Sequence, residues 1–146
     1  MITITGNSLD KVGKYLGLWF NNNSEYYFNA PYSALGFLND EGNIKGVAIF
    51  NDYTGSNIEV HFHGKDCFNK HSLNRIATYV FDELKCNRLT AKPYSTNIEL
   101  INYLIRLGFK EEAQLKYYYG LNEHAIVYTM TKNEANKWIK LNARWP

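Results

Sequence analysis

Few of the features that mark specialised classes of protein occur in this sequence. Only two of its 146 residues are cysteine, Cys67 and Cys86. Two cysteines are too few for a disulfide framework or a four-ligand zinc site, so we expect a reducing, cytoplasmic environment. No apolar run approaches the roughly 18 residues that a membrane-spanning helix needs. The segment Met1–Asp10 also lacks the basic and hydrophobic parts of a signal peptide.

Proline, internal repeats and net charge are scarce as well. The chain has three prolines and no proline-rich linker, which predicts a single domain over residues 1–146. Its 16 Lys and Arg against 14 Asp and Glu leave a formal charge of +2. Dedicated nucleic-acid binders are usually far more basic, so this balance argues against that class and leaves only a local basic site open.

Hydrophobic residues, by contrast, make up 45% of the chain and aromatic residues 16%, which is enough to form a core. A helix capped by Ser8 is predicted from apolar residues at helical spacing, namely Leu9, Val12, Leu16 and Trp19. Three strands separated by short turns follow. They predict an antiparallel meander formed by Tyr32–Leu38, Lys45–Asn51 and Asn57–His63.

After Gly64 the hydrophobic period changes. A helix over Ser72–Lys85 is predicted from one apolar stripe that contains Leu73, Ile76, Ala77, Val80, Phe81 and Leu84. The strand Arg88–Lys92 follows at once. Because a strand–helix–strand crossover joins parallel strands, Arg88–Lys92 should run parallel to Asn57–His63.

The remaining chain completes a mixed sheet. Thr96 and Glu99 predict a capping box for a helix that ends at Gly108. Two more strands are predicted at Gln114–Tyr119 and Ala125–Thr131, and Thr131 with Glu134 would cap a final short helix. Alternation along a strand would place Tyr117 and Tyr119 on one side and Tyr118 on the other. The order of strands and helices predicts the α+β class.

Three segments of the sequence resemble the GNAT superfamily of N-acetyltransferases. They are the meander with its turn over residues 46–59, the strand–loop–helix–strand block over residues 58–91, and Ser95-Thr96-Asn97 followed by Gly108-Phe109. Their order and spacing carry the resemblance, which runs from about Leu9 to Met130. It implies a mostly antiparallel central sheet with flanking helices. It also implies a splayed pair of parallel strands that forms the cofactor cleft.

The resemblance implies that acetyl-CoA is the acyl donor and that its pyrophosphate binds at a helix start. The family's loop there is rich in glycine, but the matching stretch here contains none. The residues that would bind the cofactor are Asn69, Lys70, His71 and Ser72. The alternative is an ordinary capped helix start with a solvated lysine.

The strand Asn57–His63 would hold the pantetheine arm through its backbone at His61, Phe62 and His63. Alternation places Glu59, His61 and His63 on one face. The acceptor amine must lose a proton before it attacks a thioester, and the resemblance makes Glu59 the first candidate for the base. His61 is the second. The alternative is a polar solvent-facing surface, and two histidines on one strand are too few to predict a metal site.

Two further positions bear on the chemistry. The family commonly places a proton-donating Tyr where this chain has Leu104, and the neighbouring Tyr103 points about 100° away on a helix. Asn97 resembles the family's cofactor-contacting Asn, although an ordinary N-cap is equally consistent with its position. The resemblance implies that the acceptor side is closed by an aromatic region that contains Trp19, Phe20, Tyr26, Tyr27 and Phe28. Core packing is the alternative for most of these rings, which would leave about two of them for an acceptor pocket.

The predicted function is an acetyl-CoA-dependent N-acyltransferase in which an amine attacks the thioester directly. Its acceptor is open: a small molecule, a peptide or a modified nucleobase. A homodimer is compatible with this prediction. One alternative is a GNAT-like protein that has lost catalysis and binds a protein or nucleic-acid partner, which the missing glycines and Leu104 favour. Another is an enzyme of the same fold that transfers a different acyl group to a nucleobase or an aminoacyl group.

Overall fold

The computed structural model describes residues 1–24 and 30–143. Residues Tyr26, Tyr27 and Phe28, assigned above to the acceptor side, lie outside the described residues. The elements run in the order β1 (Ile2–Asn7), α1 (Lys11–Asn23), β2 (Ser33–Leu38), β3 (Ile44–Asn51), β4 (Asn57–His63), α2 (Lys70–Ala77), β5 (Arg88–Ala91), α3 (Ile98–Leu107), β6 (Lys110–Gly120), β7 (Glu123–Thr131) and α4 (Lys132–Ala143). None of the helices among these residues is long and apolar enough to cross a membrane.

One mixed sheet contains all seven of these strands, in the order β1-β2-β3-β4-β5-β7-β6. Every neighbouring pair is antiparallel except β4 and β5, which are parallel. This arrangement confirms the predicted α+β class with a mostly antiparallel sheet and flanking helices. The crossover through α2 explains the parallel pair, because a chain that leaves β4 and returns in the same direction must cross one face of the sheet.

The parallel pair is short. Only three residue pairs join β4 to β5, the last being Glu59 with Thr90. β5 ends at Ala91, whereas β4 continues to His63 and stays paired with β3 on its other side. The two central strands therefore separate beyond Glu59, as the resemblance implied, and their separation opens a cleft in the middle of the sheet.

The two faces of the sheet carry separate cores. The larger core lies under α2, α3 and α4 and contains the inward side chains Ile58, Val60 and Phe62 of β4. A smaller core lies under α1, where Leu16 and Phe20 pack on Val47 and Ile49. We call the side of the sheet that α1 covers the α1 face. Strand alternation directs Glu59, His61 and His63 toward it.

The start of α1 differs from the prediction. Ser8 is not the cap: the Oδ1 atom of Asp10 accepts a hydrogen bond from the Gly13 amide at 2.7 Å, so the helix begins at Lys11. Leu9 consequently precedes the helix and is 86% exposed. The buried positions are Gly13, Leu16, Gly17 and Phe20, a different stripe from the one predicted. Gly13 is required because a Cβ there would lie 1.8 Å from the carbonyl oxygen of Asn7.

The predicted helix over Ser72–Lys85 begins earlier and ends differently. Asn69 caps α2, which starts at Lys70, and the last turn, Thr78–Glu83, is a π-helix. In that turn the Leu84 amide donates to the carbonyl of Tyr79, five residues back, at 2.9 Å. The predicted stripe remains buried through Phe81, which is 0% exposed. The wider turn changes the local hydrogen bonding without moving the apolar side.

The final hairpin contains an irregularity that the sequence did not predict. The pairing of β6 with β7 shifts between Leu115 and Gly120, and Tyr117 has a φ of 60°. A left-handed residue interrupts the alternation of a strand, so the prediction that Tyr117 and Tyr119 share one side and Tyr118 faces the other does not apply. This bulge turns Tyr118 and Tyr119 toward β5, which matters for the site below.

Candidate functional site

The cleft between β4 and α3 has a volume of about 310 Å³. Its walls combine aromatic rings with a few polar groups from the end of β4, the turn after it and the start of α3. The lining residues are Phe62, His63, Gly64, Lys65, Phe68, Asn97, Glu99, Leu100 and Tyr103. A smaller opening continues it toward β5, lined by Val60, His61, Phe62, Ala91, Lys92, Pro93 and Leu100.

The edge of β4 that faces this cleft has an extended backbone. Residues Val60 to His63 pair with β3, whereas the described pairing with β5 stops at Glu59. A strand edge of this kind can pair with an extended peptide-like chain, as another strand would. The structure thus places the backbone of His61, Phe62 and His63, predicted to hold the cofactor, along the opening.

Side chains of the loop predicted to bind the pyrophosphate mainly form hydrogen bonds within the protein. Asn69 accepts a hydrogen bond from the Ser72 amide at 2.9 Å, and the buried Ser72 hydroxyl donates to the carbonyl of Asp66. His71 lies 3.3 Å from the hydroxyl of Thr3 on β1, and Lys70 is exposed. None of these four residues lines the cleft described above.

The basic residue on the cleft wall is instead Lys65, which directly follows Gly64. Gly64 has a φ of 100°, and a Cβ there would lie 2.3 Å from the carbonyl oxygen of Lys45. Only glycine fits this turn. A glycine and a lysine immediately after a predicted strand are the sequence signal that could have located this part of the wall.

At the start of α3, Asn97 is the N-cap and also lies on the cleft wall. Its Oδ1 atom accepts from the Leu100 amide at 3.2 Å, so it is the N-cap in place of the predicted Thr96. It also lines the cleft. Leu104 is fully buried in the larger core, whereas Tyr103 lines the cleft with its ring stacked on Phe68 at 4.4 Å.

On the α1 face, Glu59 forms an ion pair with the Nζ atom of Lys92. Glu59 is 8% exposed. Burial raises its pKa, the hydrogen bond and charge of Lys92 oppose that effect, and Asp52 nearby raises the pKa further. The net pKa is above that of an ordinary glutamate, which brings the carboxylate closer to the range useful for a base at neutral pH.

The surroundings of the two neighbouring histidines, His61 and His63, favour the neutral imidazole. Burial lowers the pKa of His61 to about 4, and its Nε2 lies 2.8 Å from the Oδ1 of Asn51. Burial also lowers the pKa of His63, whose ring lies 5.7 Å from that of Trp19. Within the described part of the chain no three His, Cys, Asp or Glu side chains come together as a metal-binding group.

Sequence reasoning missed Lys92 and Tyr118. The Lys92 ammonium lies 3.3 Å from the Tyr118 hydroxyl and 5.3 Å from the centre of its ring. Tyr119 donates a hydrogen bond to the carbonyl of Lys92. Strand alternation could have located Lys92. Thr90 pairs with Glu59, and Lys92, two residues after Thr90, points to the same side of the sheet as Thr90. The position of Tyr118 depends on the bulge, which has no sequence signature.

Three solved structures with the same architecture are described as acetyltransferases. A mutant form of the spermidine/spermine N-acetyltransferase SpeG from Vibrio cholerae is 14% identical, with a TM-score of 0.71, and the match covers 93% of this chain and 98% of that one. A ribosomal-protein-S5-alanine acetyltransferase from Vibrio fischeri is 16% identical, with a TM-score of 0.59. That match covers 82% of this chain and 68% of that one. A structure described as a putative acetyltransferase is 18% identical, with a TM-score of 0.67, and the match covers 81% of this chain and 69% of that one.

The comparison confirms that the chain has the GNAT acetyltransferase fold, as the sequence resemblance predicted. Its strand order and its splayed central pair are those of the fold. No protein-family model matches the sequence, and no curated protein matches it either. The likeness is therefore one of three-dimensional architecture, at sequence identities of 14–18%.

Proposed function

We propose that this protein is a cytoplasmic N-acyltransferase that moves an acetyl group from acetyl-CoA to an amine. One observation carries the proposal: the parallel strands separate directly beyond a buried carboxylate, Glu59. The opening offers a strand edge for the donor, and Glu59 directly precedes the residues of that edge. Its side chain lies on the α1 face, from which the acceptor would approach in the proposed complex.

The residues of the cleft fit an acyl-CoA molecule as substrate. The pantetheine arm contains amide groups, which can pair with the backbone of residues 60–63 as a neighbouring strand would. Lys65 supplies a positive charge for a phosphate, and the turn at Gly64 lets the backbone approach closely. Asn97 and Tyr103 supply polar groups on the opposite wall. The predicted contacts of Asn69, Lys70, His71 and Ser72 would add to this site from the α2 start.

Glu59 would accept the proton that the acceptor amine loses. Its burial and its raised pKa suit this role, since a base works best when its pKa approaches the working pH. Direct attack of the amine on the thioester then needs only one positioned base. His61, with a pKa of about 4, stays neutral and contributes through its contact with Asn51.

The departing thiol needs no dedicated acid. Leu104 occupies the position where the family commonly has a tyrosine, and it is buried in the core. A thiol has a pKa near 8.5, so a thiolate leaves readily and can take its proton from water or from the acceptor nitrogen. The absence of a tyrosine at position 104 is compatible with the reaction.

The acceptor that best suits the site is a small cationic amine. Glu59 and Asp52 lie together on the α1 face, where a positive group would be attracted. One similar structure is described as a spermidine/spermine N-acetyltransferase, and another as a ribosomal-protein-S5-alanine acetyltransferase.

One of the similar structures is described as dodecameric. We extend the proposal to self-association of this chain, which light scattering in solution tests.

The test compares Glu59→Gln with Glu41→Gln, a matched change in an exposed turn. We expect Glu59→Gln to lower kcat for acetyl transfer by about 10²–10⁴, with little change in acetyl-CoA affinity, because the strand holds the donor through its backbone. Glu41→Gln should match the parent. The measurements are thiol release with a panel of small amines and titration calorimetry with acetyl-CoA. Full activity in Glu59→Gln would reject Glu59 as the base.

A partner-binding protein without catalysis is the second candidate. The observation in its favour is the α2 start, where Asn69 already accepts the Ser72 amide that a phosphate would otherwise use. If calorimetry shows no binding of acetyl-CoA to the parent protein and no amine is acetylated, this candidate replaces the enzyme.

A further inference from the structure

We propose that Lys92 is itself an acyl acceptor, so that the protein acetylates its own Lys92 side chain within the cleft. This inference rests on the proposed function, because it uses the same donor and the same base. It adds a covalent modification site to the molecule.

Lys92 directly follows β5, at the point where β5 has separated from β4. Lys92 lines the small opening together with Val60, His61 and Phe62 of β4. The donor's thioester must lie along this part of β4 if the pantetheine arm pairs with residues 60–63. The amine of Lys92 is therefore beside the reacting carbonyl in the proposed complex.

Lys92 also has the partner that an acceptor amine requires. Its Nζ atom forms an ion pair with Glu59, and the side chains are 23% and 11% exposed. An external acceptor would bring its ammonium to the same carboxylate. The Lys92–Glu59 pair thus reproduces, inside one chain, the contact between an acceptor and the base.

Further contacts hold the amine in this place. The Tyr118 hydroxyl lies 3.3 Å from Nζ, and Tyr119 donates to the Lys92 carbonyl. The bulge in β6 that turns these tyrosines toward β5 includes Tyr117, whose φ is 60°. A fixed lysine amine loses less freedom on reaction than a mobile one, which favours its attack.

The reaction balances without a further reagent. The Lys92 ammonium gives one proton to Glu59, and its nitrogen attacks the thioester carbonyl carbon of acetyl-CoA. An N–C bond forms and the C–S bond breaks. CoA leaves as the thiol with the second proton from nitrogen, and Glu59 releases its proton to solvent. The neutral amide at Lys92 then no longer pairs with Glu59.

The experiment incubates the intact protein with acetyl-CoA that carries an isotope-labelled acetyl group. Trypsin does not cleave between Lys92 and Pro93, so Leu89–Arg106 is released as one peptide in which Lys92 is the only lysine. We expect this peptide to gain the mass of one acetyl group, at a rate per molecule independent of protein concentration. Peptides with the exposed Lys14 report background chemistry.

Two variants sharpen the test. Glu59→Gln should slow labelling of Lys92 by about 10²–10⁴ while labelling at Lys14 is unchanged, and Lys92→Arg should abolish label in Leu89–Arg106. Labelling of Lys92 no faster than Lys14 overturns the inference. If the protein binds acetyl-CoA and acetylates external amines while Lys92 stays unlabelled, the inference fails and the proposed function stands. If acetyl-CoA does not bind at all, both fail.

Discussion

His61 is next to the proposed base yet resists protonation. Burial lowers its pKa from 6.5 to about 4. The imidazole is therefore neutral over the pH range in which an acetyl-transfer reaction would be measured, and it cannot supply a positive charge to the site. We expect a titration of activity near neutral pH to come from another group, and Glu59, with its raised pKa, is the candidate in the proposed mechanism.

The lowered pKa of His61 has a consequence for folding. The unfolded chain takes up a proton near pH 6.5, whereas the folded chain does so only near pH 4, so His61 stabilises the fold above pH 6.5 and this contribution is lost as the pH falls toward 4. The loss is on the order of 3 kcal/mol. Urea titrations from about pH 7 to about pH 4 measure it.

The comparison uses His61→Gln, which cannot take up the proton. Its free energy of unfolding should approach that of the parent as the pH falls, because the parent alone loses the histidine contribution. His71→Gln, at an exposed histidine, is the control for the change of residue type. A constant difference between His61→Gln and the parent over this range would refute the prediction.

At the scale of single elements, the start of α3 has two candidate N-caps whose contributions can be measured separately. Asn97 caps the helix, and Thr96, the cap that the sequence favoured, is exposed. Asn97→Ala should lower the free energy of unfolding by about 0.5–2 kcal/mol. Thr96→Ala should change it by less than about 0.5 kcal/mol. Urea titration of both variants measures these changes. Equal losses of unfolding free energy would contradict the assignment of Asn97 as the cap.

The turn after β4 and the start of α2 are the two candidate positions for the phosphates of the proposed donor. Lys65 lies on the cleft wall, whereas Lys70 is outside it. Lys65→Ala should weaken acetyl-CoA binding by about 1–2 kcal/mol, as expected for a charge-assisted contact, and Lys70→Ala should weaken it less. Titration calorimetry compares them. A larger loss in Lys70→Ala would favour the α2 start that the sequence resemblance indicated.

Elements with a strong period could be predicted from the sequence. β4 has the predicted bounds, Asn57–His63, because turn residues flank an alternating apolar pattern on both sides. The capping box at the start of α4 was also predicted correctly: the Glu134 carboxylate accepts from the Thr131 amide at 2.9 Å. In these places local sequence and tertiary structure favour the same conformation.

What could not be predicted depends on contacts distant in sequence or on unusual backbone. The cap of α1 moved from Ser8 to Asp10 because Gly13 packs closely on β1. For the site, the face that carries Glu59 and His61 followed from alternation alone. The Lys92–Tyr118 contact did not, since it spans 26 residues and depends on the left-handed Tyr117.

At the scale of the whole molecule, the sheet consists of two antiparallel halves. One half is β1 to β4 and the other is β5, β7 and β6. Within the halves the number of residue pairs between neighbouring strands ranges from four, between β5 and β7, to six, between β1 and β2 for example. Between the halves there are only the three pairs of β4 with β5, the shortest ladder among the described strands.

The short boundary has a consequence for how the protein opens. Amide hydrogen exchange should report two units of different stability, because few backbone bonds transmit protection from one half to the other. A bound acyl-CoA that pairs with residues 60–63 would lie along the gap like an added strand. Exchange of β4 and β5 amides should then slow together, whereas β1 and β2 at the far edge should change little. The donor would thus act as a removable part of the scaffold as well as a reactant.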